Sequence, residues 1–393
     1  MFLHSLRRDL SLPAIVAGFV AVLVGFTSSV AIVFAAAQAL GATPAQTTSW
    51  MWALGLGMGL TSIGLSWWAK QPVLTAWSTP GAALIAGTSG VAMDEAIGAF
   101  VACGMLIVAA GVTRTFERAM DRIPQAIAAA LLAGVLARFG LDAVGAVKTA
   151  PLLVGAMALA FIAGRRAWPR YAVPGVLCAG IAVAVLQGRM QWGLVRWELA
   201  LPVWTTPVFT VSAFIGLALP LFVVTMASQN LPGVAAQRAA GYATPVSPSI
   251  TATGAATVLL APFGGYAFNL AAITAAICMG REASADPARR WTAAVMAGVF
   301  YLAIGSAGAA VVGLLQAFPR ELVLALAGLA LVGTIAGALA VALHSERHRD
   351  AALITFLVTL SGVTLAGIGS AFWGVVAGTI VLVVQQWRPQ GST

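Results

Sequence analysis

Charge is the first thing this sequence has little of. Only 8% of its 393 residues are Asp, Glu, Lys or Arg, where a soluble domain carries about 25%. Such a chain cannot build a solvated polar shell, so a soluble catalytic domain is excluded. Histidine and cysteine are scarce as well. His4, His344 and His348 lie at the termini or in loops, with no ligand-spaced neighbours, so no metal and no other cofactor is expected. Cys103, Cys178 and Cys278 fall inside apolar runs and read as small buried hydrophobes, not as disulfides. The acids cluster at the ends of the apolar runs, for example Asp94-Glu95, Glu117, Asp121 and Glu282. The mid-membrane carboxylate of a dedicated proton relay is therefore missing. A ring of charge for a channel pore is missing too, as is any nucleophile–base set for a membrane enzyme.

What the sequence does have is apolar length. Hydrophobic residues make up 60% of the chain and the mean hydropathy is +0.95. A membrane span needs about 20 apolar residues, and fourteen spans fit, at roughly 13–40, 47–69, 73–90, 94–113, 124–139, 149–163, 172–187, 207–230, 244–261, 263–280, 291–314, 320–343, 351–367 and 371–386. The fold class expected is an all-α polytopic membrane protein. The start looks like a signal peptide, with Arg7 and Arg8 before an apolar run, but the run continues to about Leu40 and reads as an uncleaved first helix. The net charge of +9 sits in short loops, which points to membrane orientation and away from nucleic acid. With the N-terminus inside, sixteen of the 21 Lys and Arg fall in inner loops and five in outer ones, which makes both termini cytoplasmic.

The halves echo each other at a nearly fixed offset. Pro13 and Pro207 open the first and eighth spans, 194 apart; Ala36-Ala37-Gln38-Ala39-Leu40 and Ala227-Ser228-Gln229-Asn230-Leu231 lie 191 apart. Seven spans per half is odd, so the second half is inverted. The expectation is a 7+7 inverted repeat over 1–187 and 207–393, joined by a periplasmic connector at 188–206. In that architecture the substrate site forms near the midplane where the repeats meet.

Spans 3 and 10 are broken. In Leu74-Thr75-Ala76-Trp77-Ser78-Thr79-Pro80-Gly81, β-branched and aromatic residues favour an extended piece, Ser78 and Thr79 are capping types, and Pro80 suits the first helical turn. In Pro262-Phe263-Gly264-Gly265-Tyr266-Ala267-Phe268-Asn269, Pro and Gly break the helix and Asn269 is a capping type. Two half-helix starts, each with free N–H groups and a partial positive charge, would converge on one spot and favour an anion. The competing readings are a Pro-kinked structural helix and a Gly-rich packing seam. Candidate substrate residues are Trp77, Tyr266 and Phe268 for a flat ring, with Ser28, Ser78, Thr79, Thr225, Gln229 and Asn269 as polar partners. Gln229-Asn230 before Pro232-Gly233 also reads as the end of span 8. Asp94 and Glu95, just after the first half-helix, are the candidates for proton coupling, with a solvated helix start as the alternative.

Ala76-Trp77-Ser78-Thr79-Pro80-Gly81-Ala82-Ala83, Met226-Ala227-Ser228-Gln229-Asn230, Ala271 to Cys278 and Gly367 to Gly374 resemble stretches of the bacterial BenE-type benzoate/proton symporters. The resemblance covers essentially the whole chain. It implies an inner-membrane carrier for benzoate driven by protons. It also implies a fold similar to uracil permeases, sulfate permeases and anion exchangers, with a core domain of spans 1–4 and 8–11, a gate domain of spans 5–7 and 12–14, and a homodimer. Uracil permeases carry acids on spans 8 and 10, whereas the counterparts here, near Thr225, Gln229 and Phe268-Asn269, are uncharged. The function expected is secondary active uptake of benzoate or a related aromatic carboxylate with protons by alternating access. The alternatives are another small organic anion, a neutral ring compound, or an anion channel.

Overall fold

The computed structural model describes residues 6, 8–86, 88, 90–168, 172–192, 200–307, 317–363, 365 and 370–386. Connector residues 193–199 and the stretch 366–369 lie outside the described residues. In the first half the helices are α1 (Leu12–Ala39), α2 (Pro44–Ala69), α3 (Thr79–Ala86), α4 (Met93–Val112), a short α5 (Thr115–Met120), α6 (Gln125–Gly145), α7 (Pro151–Ala167) and α8 (Ala172–Leu186). The second half holds α9 (Val211–Ala239), α10 (Val246–Leu260), α11 (Ile273–Met279), α12 (Trp291–Ala307), α13 (Arg320–His344), α14 (Arg349–Ser361) and α15 (Ser370–Gln386). Two short strands, β1 (Thr75–Ala76) and β2 (Asn269–Leu270), precede α3 and α11. Among the described residues, α4, α6, α9, α10 and α13 belong to helical runs long and apolar enough to cross a membrane.

Helix starts follow ordinary capping chemistry. Ser11 accepts from Ala14 N at 3.4 Å, and Pro13 follows it in the first turn of α1. Thr43 and Gln46 form a reciprocal capping box at the head of α2. Bare backbone lets α2 and α12 approach closely. A Cβ on Gly59 of α2 would meet Gly298 O of α12 at 2.9 Å, and one on Gly298 would meet Gly59 O at 2.9 Å. Such small-residue seams give close van der Waals packing where lipid offers no hydrophobic drive.

α9 departs from the sequence reading. It does not end at Gln229-Asn230 but continues to Ala239, through π turns at Phe214–Ala218 and Met226–Asn230. Pro220 and Pro232 each sit just after one of these turns. A proline donates no N–H to the preceding turn, and a widened turn absorbs the missing bond without ending the helix.

Packing falls into two groups. α2 lies on α12, α10 on α4, and α1 on α3, α11 and α12; α6 lies on α13, α14 and α15, and α7 on α8. α1 and α9 carry most of the contact between the groups, against α13, α8 and α6.

Candidate functional site

At the centre β1 and β2 pair antiparallel, Thr75 opposite Leu270 and Ala76 opposite Asn269. Extended backbone at membrane depth has to find partners inside the protein, and hydroxyls supply them. Ser66 Oγ accepts from Val73 N at 3.1 Å and donates to Val73 O at 2.8 Å. Ser62 Oγ accepts from Thr75 N at 3.1 Å, and the Thr75 hydroxyl lies 2.7 Å from that of Thr61 and 2.9 Å from that of Ser62. Around β2, Thr257 of α10 accepts from Phe268 N at 3.0 Å, and Asn230 of α9 accepts from Leu270 N at 2.8 Å. The two strands are thus fastened to α2, α9 and α10, and each leads straight into a half-helix.

The two half-helices start differently. Ser78 caps α3, its Oγ accepting from Gly81 N at 3.1 Å and from the Thr225 hydroxyl at 3.0 Å. α11 has no side-chain cap, and its first intrahelical bond runs from Ala276 N to Ala272 O at 2.9 Å. The N–H groups of Ile273, Thr274 and Ala275 therefore precede the helical ladder. Residues at both starts, Thr79, Pro80 and Ala271 to Thr274, line one cavity of about 350 Å³. Its other walls come from Val24, Gly25 and Ser29 of α1, Met58 of α2, Ala76, Trp77, Phe139 of α6, Gln229 of α9 and Tyr301 of α12. Trp77 is held in place: its Nε1 donates to Ser29 Oγ at 3.1 Å, and its ring meets Phe26 edge-on at 5.2 Å. No lining residue carries a full charge. An uncharged, partly aromatic cavity of this size falls at the small end of the roughly 300–1,000 Å³ typical of small-molecule sites.

Residues 8–384 match the family model described as benzoate membrane transport protein, BenE. The chain belongs to that family. It is a membrane transporter and not an enzyme. Among its relatives are the inner membrane protein YdcO of Escherichia coli (strain K12), 50% identical over 373 residues and 95% of each chain, and the benzoate membrane transport protein of Acinetobacter baylyi, 39% identical over 383 residues and 97% of each chain. Two solved structures share its chain course more loosely. The transmembrane domain of the cyanobacterium bicarbonate transporter BicA is 13% identical, covers 95% of this chain and 96% of its own, and gives a TM-score of 0.42. SLC26A9 is 12% identical, covers 98% and 67%, and gives 0.49. At those scores the likeness decides nothing further.

Of the residues singled out in the sequence of this BenE-family chain, Trp77, Thr79 and Gln229 line the cavity. The Gln229 amide, in the π turn of α9, makes no hydrogen bond to another described residue. Ser78 and Thr225 are fully buried and act one step back, as cap and support. The side chain of Ser28 lies outside the described residues. Two expectations are corrected. Asn269 is not a helix cap: it sits in β2, and its Nδ2 donates to Ala267 O at 3.0 Å. Tyr266 and Phe268 do not face the cavity. Tyr266 packs between Trp50 and Phe100 at 5.7 Å from each, and the Phe268 ring lies on the bare face of Gly57. Both aromatic rings are fully buried because β2 turns its neighbours into the α2–α4–α10 packing. Asp94 and Glu95 stand in the first turn of α4, away from the cavity lining. Glu95 Oε2 accepts from Ala92 N at 3.4 Å, as a helix-start carboxylate does. Sequence reasoning missed Phe139, Thr274 and Tyr301. Thr274 carried a faint signal, as a hydroxyl five residues past the Gly-rich break's Asn269; Phe139 and Tyr301 carried none.

Proposed function

We propose that the chain imports benzoate or a related aromatic carboxylate together with protons, by alternating access, in the bacterial inner membrane. The observation that carries this is the single uncharged cavity onto which both half-helix starts open, in a chain of the benzoate transport family. The ring lies against Trp77 and Phe139. The carboxylate lies toward the half-helix starts, where partial positive charge and unpaired N–H groups favour an anion, with Thr79 and Gln229 beside it. The relatives' names support the substrate and the location: one is a benzoate transport protein and the other an inner membrane protein.

The reading includes fourteen segments in a 7+7 inverted repeat with both termini cytoplasmic, and a homodimer. Helix starts at 79 and 273, 93 and 291, 125 and 320, 151 and 349, and 172 and 370 keep a near-constant step. The packing exchanges halves in the same way: α2 on α12 mirrors α10 on α4, α1 on α3 mirrors α9 on α11, and α7 on α8 mirrors α14 on α15. The core is then segments 1–4 and 8–11, and the gate segments 5–7 and 12–14. Phe139 is the gate residue among those lining the cavity.

The proton travels with the substrate, since no lining residue is an acid or base near neutral pH. The test is uptake of labelled benzoate by purified protein in liposomes under an imposed pH gradient, competed with a panel of carboxylates. Saturable accumulation that collapses with the gradient is expected; gradient-independent, non-saturable flux would make the protein a channel. Asp94→Asn with Glu95→Gln should leave accumulation intact. Loss of accumulation with exchange preserved would move the proton onto that pair.

A further inference from the structure

We propose that the hydroxyls of Thr274 and Tyr301 form a clamp that reads the carboxyl group of the substrate in either protonation state. This rests on the aromatic-carboxylate reading above and assigns the two residues that recognise the acid. Both line the cavity, yet Thr274 is only 6% exposed and Tyr301 2%. They come from different elements, the start of α11 and the middle of α12, and both close on Gly25 of α1. A Cβ there would meet Thr274 Cγ2 at 2.9 Å and the Tyr301 hydroxyl at 3.5 Å. Gly25 is bare because these two side chains occupy its space.

Thr274 Oγ1 is buried without a hydrogen-bond partner. The Tyr301 hydroxyl is its neighbour on the same wall of the cavity, beside Gly25. A buried hydroxyl left unpaired is costly, and a ligand group that reaches Thr274 Oγ1 from the cavity also comes within reach of the neighbouring Tyr301 hydroxyl. An apolar ring cannot do that; a carboxyl group can. Trp77 is on the same side of the cavity, tied through Ser29 Oγ to Gly25 O at 2.8 Å, so a ring stacked there directs its substituent toward the two hydroxyls.

The chemistry of the pair fixes what it accepts. A hydroxyl donates one hydrogen bond and accepts others, whereas Lys and Arg only donate. Both hydroxyls donate to a carboxylate. For the neutral acid, one donates to the acid's carbonyl while the other accepts from its O–H. The change needs only rotation of hydroxyl hydrogens, and no proton passes to the protein. The acid's O–H bond forms on the outer side and breaks to water on the inner side, so one proton enters with each substrate.

The experiment is equilibrium binding of labelled benzoate to the purified full-length protein. Thr274→Val and Tyr301→Phe should each weaken binding by about tenfold or more, and Thr274→Ser should return it to within roughly threefold. The double variant should lose less than the product of the two single effects, because both hydroxyls share one carboxyl group. Wild-type-like binding by both single variants would overturn the clamp and leave the transport reading standing. A wild type that binds no benzoate would overturn both. If the variants do not fold, the wild type decides alone. Methyl benzoate keeps the ring but blocks a carboxyl oxygen, and should compete at least about tenfold more weakly than benzoate; equal competition would overturn the clamp.

Discussion

Asp9 is a buried carboxylate in a chain that has few of them, and its neighbours account for it. Arg8 Nε donates to its Oδ1 at 2.9 Å, and Trp291 Nε1 of α12 donates to its Oδ2 at 3.3 Å. The Lys70 ammonium lies 3.8 Å from the Trp291 ring centre, a cation–π contact that adds positive charge to the same corner. The Arg8 hydrogen bond holds the Asp9 carboxyl below its ordinary range, against the opposing effect of burial. A lowered folded-state pKa means that Asp9 contributes stability above the unfolded value of about 3.9, and that this stability is lost as pH falls through the lower folded value. Thermal unfolding of the purified protein across roughly pH 3 to 6 should therefore show a steeper acid-side loss in the wild type than in Asp9→Asn. Equal slopes would mean that the carboxylate adds nothing to the α1–α12 corner.

At the scale of elements, the two extended pieces are the costly parts, and the hydroxyls that satisfy them were the least legible. Ser78, Thr79 and Pro80 announced a helix start because capping and first-turn residues have a strong local signature. Ser62 and Ser66 of α2 carry no such signature: a serine pair one turn apart in an apolar helix looks like any pair bonded back to its own helix. Only the fold brings β1 alongside them. Tyr266 and Phe268 misled for the opposite reason. Aromatic residues beside a helix break suit a pocket or a packed core equally, and the choice is made by Trp50, Phe100 and Gly57, far away in sequence. Pro232-Gly233 imitated a helix end because a π turn cannot be read from one sequence. Thr75 tests the fastening. Its hydroxyl meets Thr61, Ser62 and Met58 O, the last at 3.1 Å. Thr75→Val keeps the shape but strands those partners, which should cost about 1–3 kcal/mol. The melting temperature and benzoate uptake should fall together, and Thr75→Ser should restore both; an unchanged melting temperature would show that the strand is held by packing alone.

At the scale of the whole molecule, one ion pair among the described residues joins the proposed core to the proposed gate. Arg165, in the last turn of α7, reaches Glu282 after α11 at 3.3 Å. A second pair, from Arg238 in the last turn of α9 to Asp121 at the end of α5, at 2.7 Å, stays on the core side, where α5 packs on α4 and α10. Under the proposed topology all four charged groups lie on the cytoplasmic side. The Arg189–Glu321 pair, at 3.0 Å, lies on the other side and joins gate to gate. The Arg165–Glu282 pair therefore biases the molecule toward a closed cytoplasmic face. It is partly exposed, so it is worth only about 0.2–1 kcal/mol. That would shift the inward–outward equilibrium by roughly 1.4-fold to fivefold. This is enough to tune a carrier and too little to lock it. The check is labelling of Ala272→Cys, on the cavity wall, in a background without the native cysteines, by a membrane-impermeant thiol reagent applied from the cytoplasmic side. Glu282→Gln should raise the labelling rate by that factor. Reversing both charges of the Arg165–Glu282 pair, with Arg165→Glu and Glu282→Arg, should bring it back toward the wild type, and high salt should narrow the difference by screening. A labelling rate indifferent to all of these changes would mean that the two groups are held closed by α1 and α9 packing, and that the charges only decorate the surface.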